Sequence, residues 1–173
     1  VVALDLASGG IVWKQYHIAQ EPALRSAPDA KPPQFGPAGA STYTPLAIDP
    51  RRGLVYASTA EEYGFLNPQG PYSVIAYDLA TGERRWQRQF LPAAGAAREA
   101  ACAAQVATDC RNVFSMGTSV SILQLAGGRE VLAVGQKWGW VYGLDPDHDG
   151  EELWRTRVGL GGDLGGVMYG MAF

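Results

Sequence analysis

An all-β fold assembled from repeated antiparallel sheets is predicted by three observations. The segment 73–86, SVIAYDLATGERRW, reads as a hairpin, and its pattern of apolar strand, Asp, turn Gly and closing Trp recurs at 1–13 (VVALDLASGGIVW) and 141–154 (VYGLDPDHDGEELW). The closing tryptophans Trp13, Trp86 and Trp154 lie 73 and 68 residues apart. That period is too long for ankyrin, tetratricopeptide or leucine-rich units, and suits a propeller blade of about four strands with insertions. Finally, 22 Gly and 11 Pro supply the punctuation that many short strands require, while 47% hydrophobic residues supply a core.

Each hairpin follows from its residues. Val74 and Ala76 are β-branched or small and suit a pleated surface, Asp78, Thr81 and Gly82 carry turn chemistry, and Arg84 begins the return. One blade cannot bury both faces of its sheet, so each closing Trp is expected to pack into the joint with the next blade. After Ile18 the Pro-rich stretch Ala19–Ala40 reads as a loop. Strands are expected over Thr42–Ile48 and Leu54–Thr59, around the tight turn of Asp49-Pro50-Arg51-Arg52-Gly53. Further strands are expected over Thr118–Gln124 and Glu130–Val134, and Gln136–Trp140 leads into the third hairpin. Pro92–Val106 is Ala-rich and suits a short helix by propensity. The tail, GLGGDLGGVMYGMAF, holds six glycines and is expected to end in a strand, the glycines letting the backbone approach either a ligand or the packed centre closely.

Residues 1–173 show no internal domain boundary. Because Val1 and Phe173 both fall inside expected strands, the chain is expected to be about three blades of a larger propeller, and aggregation-prone if made alone.

Several functions are disfavoured. A net charge of −3 with scattered basic residues offers no stripe for nucleic acid, and no apolar run approaches the ~20 residues that cross a bilayer. His17 and His148 are far apart and unaccompanied, which supports neither a zinc cluster nor a Ser-His-Asp triad. Asp145, Asp147, Asp149 and Gly150 imitate the start of a calcium loop, but Thr156 stands where the closing Glu belongs, so these acids read as a polar hairpin turn. Cys102 and Cys110 are close enough in sequence for a local disulfide, which would imply an oxidising compartment. Two free thiols in a cytosolic loop are the alternative.

The ordered segments ALDLASGGIVW, TYTPLAIDPRRGLVYAST, VIAYDLATGERRW, GQKWGWVYGLDPD and LGGVMYGMA resemble the propeller of pyrroloquinoline quinone (PQQ)-dependent dehydrogenases, most closely the polyvinyl alcohol dehydrogenase-like branch. The resemblance implies an eight-bladed quinoprotein propeller exported to the periplasm. It implies oxidation of a secondary or polymeric alcohol with PQQ and calcium, and an electron acceptor such as a cytochrome c. Tyr43 stands where relatives place the Trp floor under the quinone, and Glu61 where they place a metal-binding Asn. Lys137 matches the family's cation against the quinone oxygens. Relatives carry the catalytic base after an Asp-x-Trp signature, which LPAAGAAREAAC lacks, so Glu99 is the candidate as the nearest carboxylate before Cys102. Cys102 and Cys110 resemble the spaced pair of the polyvinyl alcohol branch rather than the adjacent-cysteine disulfide of others. A fragment of this size is expected to be inactive by itself, because the family's site is assembled from most of the blades. The missing signature also motivates an alternative, a non-catalytic propeller binding a protein partner or envelope polymer.

Overall fold

The computed structural model describes residues 1–61, 70–91, 114–162 and 164–172. These form twelve strands and no α-helix. The first hairpin pairs β1 (Val2–Leu4) with β2 (Ile11–Lys14). A short ladder of β3 (Ala23–Leu24) and β4 (Phe35–Gly36) follows. One four-stranded antiparallel sheet then runs in chain order through β5 (Ala47–Asp49), β6 (Leu54–Ser58), β7 (Ser73–Asp78) and β8 (Arg84–Gln89). A second does the same through β9 (Ser121–Gln124), β10 (Glu130–Gly135), β11 (Trp140–Asp145) and β12 (Glu151–Arg157). Two complete blades therefore follow one hairpin, as the partial propeller requires.

All three hairpins share one register. Ala3 faces Trp13, Ala76 faces Trp86 and Gly143 faces Trp154, and a bulge follows at once each time, between Ala3 and Leu4, Ala76 and Tyr77, and Gly143 and Leu144. Such a bulge adds twist and aims the Trp out of its own sheet. Trp13 lies against Gly82, the turn glycine of the next hairpin, and its indole N–H donates to the Leu79 carbonyl at 3.1 Å. Trp86 lies against Gly150 in the following one. Both glycines have positive φ, +75° and +70°, so the turn needs glycine for its backbone as well as for the ring. Trp154 is 43% exposed.

The central blade is covered on both faces. Tyr56, Val74, Ala76, Trp86 and Phe90 pack against Met116, Val120, Leu132, Val134, Tyr142 and Leu144 of the second blade's side. Ala57, Ile75 and Tyr77 point the other way and meet Val1. Alternation of side chains along β6 and β7 produces these two cores, since each strand serves both faces. At one rim of the joint Arg52 forks between the blades. It bonds Asp49 at 2.8 Å, both oxygens of Asp147 at 2.8 and 2.9 Å, and Glu130, which Arg51 also meets at 2.7 Å.

Three expectations are revised. The strand expected at Thr42 begins only at Ala47, because the hydroxyls of Thr42 and Thr44 are spent on Ser58 rather than arrayed along a sheet. The Ala19–Ala40 loop contains the β3–β4 ladder. Among the described tail residues no strand forms, and Tyr169 makes a single parallel bridge to Thr118. Of the two readings of the tail glycines, packing on the chain itself holds. A Cβ at Gly166 would overlap the Lys137 carbonyl, and one at Gly161 would come within 2.5 Å of the Trp138 backbone. The helix expected over Pro92–Val106 lies outside the described residues.

Candidate functional site

Three of the four candidate site residues converge on one dipeptide, Ser115-Met116, which enters between the two complete blades. Met116 is fastened by its N–H to the Thr59 carbonyl at 3.1 Å, beyond the end of β6. Ser115 donates its hydroxyl to the Glu61 carboxylate at 2.6 Å, and its carbonyl accepts the Lys137 backbone N–H at 3.0 Å. Tyr43 donates its phenol hydrogen to the Met116 carbonyl at 3.1 Å. Residues 43, 61 and 137 thus surround a segment belonging to none of their own strands.

Their exposures differ in a way that bears on chemistry. Tyr43 is 49% exposed, so its ring is no strand aromatic packed inside a blade and keeps area for stacking. Glu61 is half-buried rather than a solvated loop charge. Lys137 is only 4% exposed and sits in the turn after β10, not on an open strand, with its aliphatic stem over Gly117. A Cβ at Gly117 would meet the Val167 carbonyl, which is how the glycine-rich tail closes over this turn. Glu99, Glu62, Cys102 and Cys110 lie outside the described residues.

Sequence reasoning missed Ser115 and left His17 unaccompanied. Ser115 stands between two large apolar residues, Phe114 and Met116, and all three are buried. A hydroxyl so placed needs a partner, and that was the available signal. His17 lies in a chain of hydroxyls: Nδ1 is 2.7 Å from the Tyr77 hydroxyl and Nε2 is 2.9 Å from Thr42 Oγ1. Because Thr42 gives its hydrogen to the Ser58 carbonyl, it accepts from His17, which fixes the neutral Nε2–H tautomer with Tyr77 donating to Nδ1. Burial first, and then the Arg84 guanidinium, hold the imidazole pKa down at about 4. Burial likewise raises the Tyr77 phenol above its ordinary value, so it remains a donor. His17 thereby ties the exit of the first hairpin to the loop that carries Tyr43.

The family model for the PQQ glucose/ethanol/alcohol dehydrogenase β-propeller domain matches residues 1–93, more than half of the chain. The chain belongs to this family. The PQQ propeller segment is 40% identical to a polyvinylalcohol dehydrogenase from Pseudomonas sp and 34% identical to one from Sphingopyxis sp. (strain 113P3), in each case over 99% of the segment. It spans 27% of the length of both relatives. In fold it matches the quinohemoprotein alcohol dehydrogenase of Comamonas testosteroni with a TM-score of 0.55 at 16% identity, over 90% of this chain and 24% of that one.

The residues of the PQQ propeller segment fit the two groups unequally. An exposed Tyr43 ring and the buried Lys137 suit a planar, anionic-on-reduction quinone. Calcium takes six to eight oxygens, and the described residues hold no cluster of three or more His, Cys, Asp or Glu side chains. Glu61, whose carboxylate accepts the Ser115 hydroxyl, amounts to no more than one of those oxygens.

Proposed function

We propose that this chain is part of a periplasmic PQQ- and calcium-dependent alcohol dehydrogenase acting on a secondary or polymeric alcohol. The reading is carried by the convergence of Tyr43, Glu61 and Lys137 on Ser115-Met116, within a chain whose sequence matches the PQQ propeller family. Bound PQQ would supply the two-electron acceptor, and the protein its placement and charge environment. Tyr43, braced through its hydroxyl, offers a ring face to a planar group. Lys137, kept out of bulk water, offers a positive charge that is weakly screened. Glu61 offers one oxygen ligand, held in place by Ser115. Glu99 is retained as the candidate base. Further blades of the same protein complete the site, and a cytochrome c is the proposed electron acceptor.

The test uses the full-length protein. Purified protein given PQQ and calcium is expected to acquire cofactor absorbance and to reduce an electron-accepting dye with secondary alcohols, and Lys137→Met is expected to lower both by at least tenfold. A folded full-length protein that acquires no cofactor absorbance, and co-purifies with a partner, would favour a binding propeller instead.

A further inference from the structure

The geometry points to a second site, a groove at the outer rim of the joint between the two complete blades, that holds a segment of a hydroxylated aliphatic chain. The choice of ligand class rests on the alcohol-oxidising reading, but the groove itself does not. Its volume is about 380 Å³, within the range of small-ligand clefts. Both of its walls belong to blades that are complete here. Phe90 follows β8 of one, while Trp138, Trp140, Tyr142, Glu152 and Arg155 come from the β10–β11 turn, β11 and β12 of the other.

The aromatic lining is held in place. Phe90 and Tyr142 pack with ring centroids 4.4 Å apart, and the Tyr142 hydroxyl donates to the Gln136 side chain at 2.9 Å. Trp138 is braced edge-on by Phe114 at 5.0 Å and 84°. Trp140 lies beneath the guanidinium of Arg155 at 5.7 Å, and Arg155 faces Glu152 at 3.5 Å. Phe90 and Tyr142 are themselves buried and form the floor, so the C–H-binding faces are those of the half-buried Trp138 and Trp140, which have little entropy left to lose on binding.

Charge decides among ligand classes. An anion would meet Glu152, and a cation would meet Arg155 and Arg157, whose guanidinium is also over Trp140 at 6.0 Å. A wholly apolar ligand would strip water from this ion pair without replacing it. A neutral chain with hydroxyls satisfies both halves: its methylenes lie on the rings, and each hydroxyl can donate to Glu152 and accept from Arg155. Trp138 of the groove directly follows Lys137 in the chain, and Phe114, which braces it, directly precedes Ser115.

The test is a tryptophan-fluorescence titration of cofactor-free full-length protein with short poly(vinyl alcohol), with a linear malto-oligosaccharide, hydroxylated but lacking a methylene backbone, as the comparison. Saturable binding of the poly(vinyl alcohol) is expected, weakened about tenfold or more by Trp140→Ala and by Glu152→Gln, and largely retained in Trp140→Phe, whereas oligosaccharide binding of equal strength overturns the choice of an aliphatic chain. If Trp140→Ala does not fold, Glu152→Gln on the exposed strand β12 decides. Binding that neither substitution changes, or no saturable binding, overturns the proposal. In turnover, the kcat/KM ratio of polymer to small secondary alcohol is expected to fall about tenfold in Glu152→Gln. Polymer binding that depends on Trp140 in a protein oxidising no alcohol would keep the groove and reject the dehydrogenase reading.

Discussion

Trp86 and Gly150 meet across the joint between two blades as Trp13 and Gly82 meet one blade earlier, with the ring so close to each glycine that a Cβ would fall 2.5–2.6 Å from a ring carbon. This repeated contact gives an internal control. Gly9 occupies the same turn position in the first hairpin at φ +72°, yet none of the described residues comes within 4 Å of its Cβ position. In the 173-residue chain, Gly9→Ala should therefore cost only the left-handed backbone penalty of about 1 kcal/mol. Gly82→Ala and Gly150→Ala should cost about 2–4 kcal/mol, because they also displace a packed ring, the half-buried Trp13 or the buried Trp86. If a further blade of the full-length protein covers this turn, its Gly9→Ala variant becomes as costly as the other two. Urea unfolding of the three variants in both forms measures the difference.

Arg52 makes a second link between the blades, and its geometry predicts that lysine will not replace it. The guanidinium is 16% exposed at its side chain and spans Asp49, Asp147 and Glu130 at once. Its own pKa rises, chiefly through the bond to Asp147, while burial of Asp49 opposes ionisation but its bonds to Arg52 prevail and leave it below the ordinary value. Arg52→Met leaves the Asp49 carboxylate buried without its cation, so a loss of about 3 kcal/mol is expected, with little rescue by Arg52→Lys, since a point charge cannot serve three carboxylates. The depressed Asp49 pKa contributes stability that is present above the ordinary carboxylate range and lost as pH falls through it. Denaturant midpoints of the three proteins at neutral pH and at pH 4 check both statements.

His17 should make the protein acid-sensitive in a higher window. Its folded pKa of about 4 lies below the ordinary 6.5, so the unfolded chain binds the extra proton first. Stability is then full above pH 6.5 and declines as pH falls toward 4, opposite in sense to a histidine that gains a carboxylate partner. His17→Gln, which can still accept from Tyr77 and donate to Thr42, removes the titration. The difference in melting temperature between wild type and this variant should therefore change between pH 7 and 4.5. A constant difference would show that folding leaves the His17 pKa unchanged.

These contacts also show what sequence order could and could not convey. Trp13, Trp86 and Trp154 announced the blades because packing against a neighbour's turn needs a fixed residue at a fixed place, and the residues required are local. Tyr43, Glu61 and Lys137 were found only through family resemblance. Ser115, the group that joins two of them, left no such trace, since its partners Glu61 and Lys137 are 54 and 22 residues away along the chain. The strand expected at Thr42 failed for a related reason. β-propensity favoured an extended ladder, but the Thr42 and Thr44 hydroxyls found Ser58, and tertiary hydrogen bonds prevailed.

The Ser115–Glu61 bond carries the last prediction. At 2.6 Å it is a short, charge-assisted contact that fixes the only carboxylate among the described candidate residues. Ser115→Ala removes the donor, and because Glu61 is half-buried the stability loss should stay at about 1–2 kcal/mol. The larger effect should be on ion binding. A carboxylate free to rotate binds calcium more weakly, and loss of an orienting partner typically costs 10–100-fold in metal affinity. Calcium titration of PQQ reconstitution in the full-length protein should therefore shift upward by about tenfold in Ser115→Ala, further in Glu61→Gln, and little in Ser115→Thr, which keeps the hydroxyl. An unchanged calcium requirement in Ser115→Ala and Glu61→Gln together would remove Glu61 from the metal site and leave its bond to Ser115 as a brace between the segment after β6 and the Lys137 turn.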